Sequence, residues 1–79
     1  MPESFHLYKS EGCHLCDVAL TICNEKIKHE SLTVIDIVDD SDSENLVALY
    51  GGHIPVLKRI SDGKSLYWPF TAEQVSELK

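Results

Sequence analysis

Two cysteines three residues apart, Cys13 and Cys16, stand between a strand-like segment and a helix-like segment of the chain. The residues before them, Phe5-His6-Leu7-Tyr8-Lys9, mix apolar and aromatic side chains as a β-strand does. The residues after them repeat apolar side chains at helical spacing. A Cys-x-x-Cys pair where a helix follows a strand is typical of thiol redox chemistry, because the helix N-terminus favours the negative charge of a thiolate.

Length and cysteine usage restrict the class of protein. The chain has 79 residues, which predicts one domain, residues 1–79, with a small core. Its three cysteines are too few and too unevenly placed for a secreted disulfide scaffold, and neither a signal peptide nor a membrane span is recognisable. We therefore expect a cytoplasmic protein, in which a close cysteine pair is catalytic or metal-binding rather than structural.

The charge balance argues against two classes of partner. The net charge is −6, with 13 acidic and 7 basic residues, so the surface repels nucleic-acid phosphates and anionic lipids. A protein partner with a basic patch remains compatible with this charge. Nothing in the sequence indicates an oligomer, and we expect a monomer.

Periodicity predicts a βαβ unit in the first half of the chain. A helix is expected over residues 13–28, with Leu15, Val18 and Ile22 widening its apolar stripe. The stripe itself consists of residues at helical spacing, namely Cys16, Ala19, Leu20, Cys23 and Ile27. Residues 32–38 are rich in β-branched side chains and predict a second strand. The long crossover makes the two strands parallel.

The second half predicts a short helix, a hairpin and a last helix. An acidic loop with Ser41 and Glu44 fits a capping box for the short helix, which should end at Gly51–Gly52. Strands are expected over residues 54–60 and 66–68, on either side of an Asp62-Gly63 turn. Thr71 and Gln74 fit a second capping box. The order is then β-α-β-α-β-β-α, an α/β fold with a four-stranded mixed sheet and helices on both faces.

Three motifs resemble a known family. They are Gly12-Cys13-His14-Leu15-Cys16-Asp17 after the first strand, Ile54-Pro55-Val56-Leu57 at the third strand, and Tyr67-Trp68-Pro69-Phe70 before the last helix. Together they resemble the thioredoxin fold, and specifically the glutaredoxin-like family of short bacterial proteins. The resemblance implies that Cys13 is the nucleophilic cysteine and Cys16 the resolving one. It also implies a cis Pro55 beside the thiols, with the backbone of Ile54 pairing with a bound substrate.

The predicted substrate contacts are Ile54 and Pro55, which the resemblance implies, together with His14, Leu15 and His53, which stand beside them and between the cysteines in the sequence. Glutathione-using glutaredoxins usually carry Pro-Tyr between the cysteines and Thr-Val before the cis-proline, where this chain has His14-Leu15 and His53-Ile54. We expect no bound cofactor, and we expect no metal because the cysteine pair has no second ligand pair of similar close spacing. Glutathione and a reductase are both candidates for the partner that recharges the dithiol, and the substrate would be a protein or small-molecule disulfide.

The leading functional prediction is a thiol–disulfide oxidoreductase that uses the Cys13–Cys16 dithiol. One alternative is a non-catalytic module of the same fold that holds a partner's extended segment in the Ile54-Pro55 groove. Another is a small metal or persulfide carrier that uses the same two thiols, with His6, His14 or His53 as further ligands.

Three other side chains are given ordinary structural roles. Cys23 shares the helical stripe and is expected in the core. His14 is expected to be exposed in the first turn, where a protonated imidazole would stabilise the Cys13 thiolate. Tyr67 and Trp68, near the end of the sheet, are expected in the core rather than at a partner-binding surface.

Overall fold

The computed structural model of the chain describes residues 4–79, which form four strands, three α-helices and one 3₁₀ helix. The strands are β1 (Phe5–Lys9), β2 (Leu32–Asp36), β3 (Val56–Arg59) and β4 (Ser65–Tyr67). The helices are α1 (His14–Lys26), α2 (Ser43–Tyr50) and α3 (Ala72–Leu78), with the 3₁₀ helix at His29–Ser31. This order confirms the predicted β-α-β-α-β-β-α arrangement.

The four strands form one mixed sheet in the order β2-β1-β3-β4. Strands β1 and β2 are parallel, whereas β3 is antiparallel to both β1 and β4. Ile35, Tyr8, Val56 and Tyr67 are register partners across the sheet. We call this row the Tyr8 end. The chain leaves β1 and β2, and enters β3, at this end.

Alternation along the strands builds a core on each face of the sheet. Leu7 and Leu57 are register partners that face α1 and α3, whereas Tyr8 and Val56 face α2. The larger core joins buried residues of β1, β3, α1 and the α3 region: Phe5, Leu7, Ala19, Cys23, Ile27, Leu57, Phe70, Val75 and Leu78. The smaller one contains Tyr8, Ile37, Tyr50 and Val56. Because α1 and α3 cover one face of the sheet, the segment between β1 and α1 lies at the edge of the larger core.

Several predicted element boundaries need correction. Helix α1 covers His14–Lys26 rather than residues 13–28, since Cys13 and Ile27 both have extended backbone. Strand β2 ends at Asp36 rather than at residue 38, because the Asp36 carboxylate accepts the N–H of Val38 over 2.9 Å and turns the chain. In the hairpin, β3 begins at Val56 after Pro55, which has no N–H to donate, and β4 covers residues 65–67.

One of the two predicted capping boxes forms and the other does not. At α3, Thr71 and Gln74 exchange side-chain bonds with each other's backbone N–H over 3.2 and 2.8 Å, as predicted. The Ser41–Glu44 box was a wrong prediction, because α2 begins after Asp42 and has no side-chain cap. Among residues 4–79, none of the helices has the length and apolar character that crossing a membrane requires.

Candidate redox site

The segment between β1 and α1 places two cysteines at the Tyr8 end of the sheet. Gly12 has φ 79°, a left-handed conformation that glycine adopts without strain, and a Cβ there would contact nothing within 4 Å. The glycine is therefore needed for its backbone angle rather than for space. The turn is closed by the N–H of Cys13, which donates to the carbonyl of Ser10 over 3.3 Å. Cys13 then becomes the N-cap residue of α1.

Cys13 and Cys16 are joined through their sulfur atoms, with their Cα atoms 5.2 Å apart. This Cα separation lies within the usual range for a disulfide. The N–H of Cys16 donates to the Sγ of Cys13 over 3.1 Å, so the sulfur takes the place of the oxygen that commonly caps a helix. The pair can therefore alternate between a disulfide and a dithiol in which the Cys13 sulfur meets an N–H donor and the helix dipole.

The two sulfur-bearing residues differ in their access to solvent. Cys13 is half-buried, whereas Cys16 is only 1% exposed. An incoming substrate can therefore reach Cys13, while Cys16 can react only with a sulfur already held beside it. This difference agrees with the roles that the family resemblance implied for the two residues.

His14 and Leu15, between the cysteines, are both exposed. The expected exposure of His14 is confirmed. Leu15 and Val18 were expected to widen the buried stripe of α1, and that prediction was wrong: they are 48% and 39% exposed because no element packs over that side of the first turn. An apolar side chain is thus presented to solvent beside the cysteine pair.

The segment His53-Ile54-Pro55 leads into β3 at the same end of the sheet. The Ile54–Pro55 peptide bond is cis, as predicted, and Pro55 is buried. The N–H groups of His53 and Ile54 both donate to the carbonyl of Tyr50, over 2.8 and 3.1 Å. Among the described residues, the carbonyl of Ile54 accepts no hydrogen bond. A substrate backbone could therefore pair with this carbonyl without displacing an existing bond.

Tyr67 belongs to this neighbourhood, contrary to its predicted place in the core. It is 52% exposed, and its ring meets that of His53 edge to face, with the centroids 5.6 Å apart. The next residue, Trp68, packs against the larger core as predicted and donates its N–H to the carbonyl of Pro55 over 3.3 Å. Strand alternation could have revealed this, because Leu66 and Trp68 face the larger core and Tyr67 must point the other way.

Cys23, the third cysteine, is separate from the pair. It is fully buried in the larger core, as predicted, and it carries a free thiol. Burial raises the pKa of this thiol to about 11, so it stays protonated at neutral pH. Across residues 4–79, no three His, Cys, Asp or Glu side chains lie close enough together to hold a metal ion.

Two solved structures are similar to this chain. An X-ray structure of protein XcR50 from X. campestris is 31% identical, with a TM-score of 0.78, and the match covers 95% of this chain and 93% of that one. The solution NMR structure of protein Ne2328 from Nitrosomonas europaea is 28% identical, with a TM-score of 0.69 and coverage of 99% and 92%. The curated proteins contain no match.

The family comparison agrees with both structures. The model of the Glutaredoxin-like domain (DUF836) matches residues 5–78, which include the cysteine pair, the cis-proline segment and all four strands. The close pair formed by Cys13 and Cys16 fits a thiol redox role on this fold. The chain therefore belongs to the glutaredoxin-like domain family.

Proposed function

We propose that this protein is a thiol–disulfide oxidoreductase. The observation that carries the proposal is the asymmetric cysteine pair: an accessible Cys13 at the start of α1, and a buried Cys16 whose N–H donates to the Cys13 sulfur. A site with one reachable and one shielded thiol suits the two successive steps of disulfide exchange. Membership of the glutaredoxin-like domain family supports the same chemistry.

In the forward reaction, the Cys13 thiolate attacks one sulfur of a substrate disulfide. A bond forms between Cys13 and that sulfur, the substrate S–S bond breaks, and the departing thiolate takes a proton from solvent. The Cys16 thiolate then attacks the Cys13 sulfur and releases the second substrate thiol. Two electrons have passed from the protein dithiol to the substrate, and Cys13 and Cys16 are left joined as a disulfide.

In this proposal the predicted substrate contacts hold the substrate during the reaction. His14 and Leu15 lie between the two cysteines, and the segment from His53 to Pro55 enters the sheet at the same end as α1. In our proposal, the free carbonyl of Ile54 accepts a hydrogen bond from the substrate backbone and aligns it as an extra extended segment. The substrate is then the disulfide of a protein or a small molecule.

The oxidised protein must be recharged by an external dithiol or by two thiols. We propose glutathione or a reductase of the cytoplasm for this role, with no cofactor bound to the chain itself. Either reductant attacks the Cys13 sulfur, which is the exposed side of the disulfide, and the departing Cys16 thiolate is protonated as the reaction reverses.

The first test is a redox equilibration in glutathione buffers of stepped ratio, followed by alkylation of free thiols and mass spectrometry. We expect the alkylation of Cys13 and that of Cys16 to disappear together as the buffer becomes more oxidising. A potential near those of thioredoxin and the glutaredoxins, roughly −200 to −270 mV, would support a reducing role. Independent single-thiol behaviour at the two positions would contradict the proposal.

The second test is the reduction of bis(2-hydroxyethyl) disulfide with dithiothreitol as the reductant. Cys13→Ser should lower turnover to the rate with dithiothreitol alone, and Cys23→Ser should leave turnover unchanged. Cys16→Ser, incubated with the disulfide in the absence of dithiothreitol, should accumulate a mixed disulfide on Cys13. The Cys23 variant is the matched control, because it removes a thiol from the core without touching the pair. Retained turnover by the Cys13 variant would exclude the mechanism.

A further inference from the structure

The basic side chains lie almost entirely away from the redox site. Of the seven Lys and Arg residues, only Lys9 is at the Tyr8 end of the sheet. The other six lie at or after the last turn of α1, along or beyond β3, and after α3: Lys26, Lys28, Lys58, Arg59, Lys64 and Lys79. Arg59 contacts the carbonyl of Leu78, which places the end of α3 at the far end of β3 as well.

Six acidic side chains lie at the end that carries the cysteines, whereas Glu25, Glu30 and Asp62 lie with the basic residues of the opposite end. Glu11 and Asp17 flank the pair along the chain and are exposed. Because β2 runs parallel to β1, the acidic segment that follows it emerges at the same end. Its carboxylates belong to Asp36, Asp39, Asp40 and Asp42. The redox end is therefore negative, whereas the opposite end carries most of the positive charge.

Exposed apolar and aromatic side chains also lie at this end of the sheet. Leu15 projects between the cysteines, and the edge-to-face rings of His53 and Tyr67 adjoin the buried Pro55. Val56 is the register partner of both Tyr8 and Tyr67, so Tyr67 belongs to the row of residues at the Tyr8 end. The segment that carries the cysteines leaves β1 at the same end. Exposed aromatic rings of this kind favour contact with large apolar side chains.

On the basis of the proposed function, we infer that the disulfide reduced here belongs to an extended peptide segment with basic residues and a large apolar side chain beside its cysteine. Tyr67 is a specificity-determining residue for that apolar side chain. The acidic end attracts the basic residues and increases the rate of encounter. Oxidised glutathione carries four carboxylates and meets only Lys9 among the Lys and Arg side chains at this end, so it should be reduced more slowly than such a basic peptide.

The test compares peptide disulfides that differ in one property each, with dithiothreitol as the reductant. The three peptides have the same length and the same disulfide. The Leu–Lys peptide has Leu beside the cysteine and two Lys residues, and the Leu–Glu peptide has two Glu residues in their place. The Gly–Lys peptide keeps the two Lys residues and has Gly instead of Leu. The Leu–Lys peptide should have a kcat/KM about tenfold or more above the Leu–Glu peptide at low salt. The difference should narrow at high salt, because screening weakens it.

Variants separate the charge from the aromatic contact. Tyr67→Ala should lower kcat/KM for the Leu–Lys peptide to that of the Gly–Lys peptide, whereas Tyr67→Phe should retain most of it. The matched control is Ile60→Ala, which removes an exposed apolar side chain at the far end of β3. The double variant Glu11→Lys with Asp39→Lys should strongly reduce the preference for the Lys peptide over the Glu peptide, because it leaves four of the named acidic residues against three basic ones at this end.

Bis(2-hydroxyethyl) disulfide, which is small and uncharged, serves as the reference substrate. If it is reduced while the three peptides react at equal rates and Tyr67→Ala changes none of them, the inference about specificity is wrong and the proposed function stands. Reduction of oxidised glutathione as fast as the Leu–Lys peptide would also overturn it. If the protein accelerates the reduction of no disulfide above the rate with dithiothreitol alone, the proposed function fails and the inference fails with it.

Discussion

The amide N–H of Cys16 donates a hydrogen bond to the sulfur of Cys13 over 3.1 Å. Because Cys13 caps α1, its sulfur also lies where the positive end of the helix dipole is concentrated. Both interactions stabilise a negatively charged sulfur more than a neutral one. They favour Cys13, rather than Cys16, as the attacking thiol.

In the reduced protein, iodoacetamide should therefore modify Cys13 at neutral pH much faster than Cys16 or Cys23. Cys16 is 1% exposed and Cys23 is fully buried, so neither is easily reached. Timed quenching and mass spectrometry of peptides would give the three rates. In guanidinium chloride the rates should converge, and faster modification of Cys23 than of Cys13 in the folded protein would contradict the prediction.

Alkaline pH should destabilise the fold through Cys23. Its pKa is raised to about 11 by burial, whereas a thiol in an unfolded chain has a pKa of about 8.5. Between these values the unfolded chain has lost the proton and the folded chain has kept it, so the free energy of unfolding decreases as pH rises. The decrease should begin near pH 8, as the thiol of the unfolded chain starts to ionise, and approach about 1.4 kcal/mol per pH unit.

Urea unfolding would measure this effect most clearly in the absence of the other two thiols. The variant with Cys13→Ser and Cys16→Ser should lose stability between pH 8 and pH 10.5. Adding Cys23→Ala should lower stability at neutral pH, because core packing is lost, and should remove that part of the pH dependence. Identical pH profiles for the two variants would show that Cys23 does not contribute.

The N-terminus of α3 should be sensitive to substitution of its cap. Thr71→Ala removes the hydroxyl that accepts the N–H of Gln74 and should cost about 1 kcal/mol of stability, whereas Thr71→Ser should cost less. For a chain of this size, 1 kcal/mol corresponds to a fall in Tm of about 4–8 °C. Ser41→Ala is the contrasting control, because Ser41 does not cap α2, and its effect should stay within about 0.5 kcal/mol. An equal loss for both Ala variants would refute the assignment of the caps.

Arg59 should matter more to stability than its acidic partner. Its guanidinium pairs with the Asp62 carboxylate and also donates to the carbonyl of Leu78, which ties the end of α3 to β3. Arg59→Met should cost about 1–2 kcal/mol, since hydrogen bonds from charged groups are the stronger ones. Asp62→Asn should have a smaller effect, because Asp62 is exposed and surface ion pairs contribute little.

Thermal unfolding at several pH values would check both parts of this prediction. Hydrogen bonds from Arg59 hold the pKa of Asp62 well below its usual range, so the pair persists in mild acid. The small contribution of the Arg59–Asp62 ion pair to the free energy of unfolding should be constant above about pH 3.9, the pKa of an aspartate in an unfolded chain. The contribution should be lost as the pH falls further. A larger loss from the Asp62 variant than from the Arg59 variant would overturn the ranking.

The parts of the fold that depend on local sequence were predictable. Strand β1 has the predicted bounds, Phe5–Lys9, and the Thr71–Gln74 capping box forms, because hydrophobic alternation and capping involve neighbours along the chain. The Ser41–Glu44 box has the same spacing and does not form. In that acidic segment, Asp36 and Asp40 accept backbone N–H groups instead, and they move the start of α2 to Ser43.

The surroundings of the cysteines depended on contacts between distant residues. His53 meets Tyr67 only because β3 and β4 pair with Val56 opposite Tyr67, and Arg59 reaches Leu78 across 19 residues. Apolar content placed Leu15 and Tyr67 in the core, yet no element covers either side chain fully. Periodicity identifies which residues share a face, but exposure depends on whether another element packs over that face.

The unequal access to the two sulfurs has a consequence for reaction order. Whether a substrate oxidises the dithiol or a reductant restores it, the proposed intermediate has the same form, with a foreign sulfur attached to Cys13 while Cys16 stays shielded. In the Cys16→Ser variant the Cys13 thiolate would attack a substrate disulfide, or the disulfide form of a reductant, and either partner would be arrested on Cys13. The adducts on Cys13 would then include the molecules that take electrons from this protein and, through their oxidised forms, the molecules that supply them.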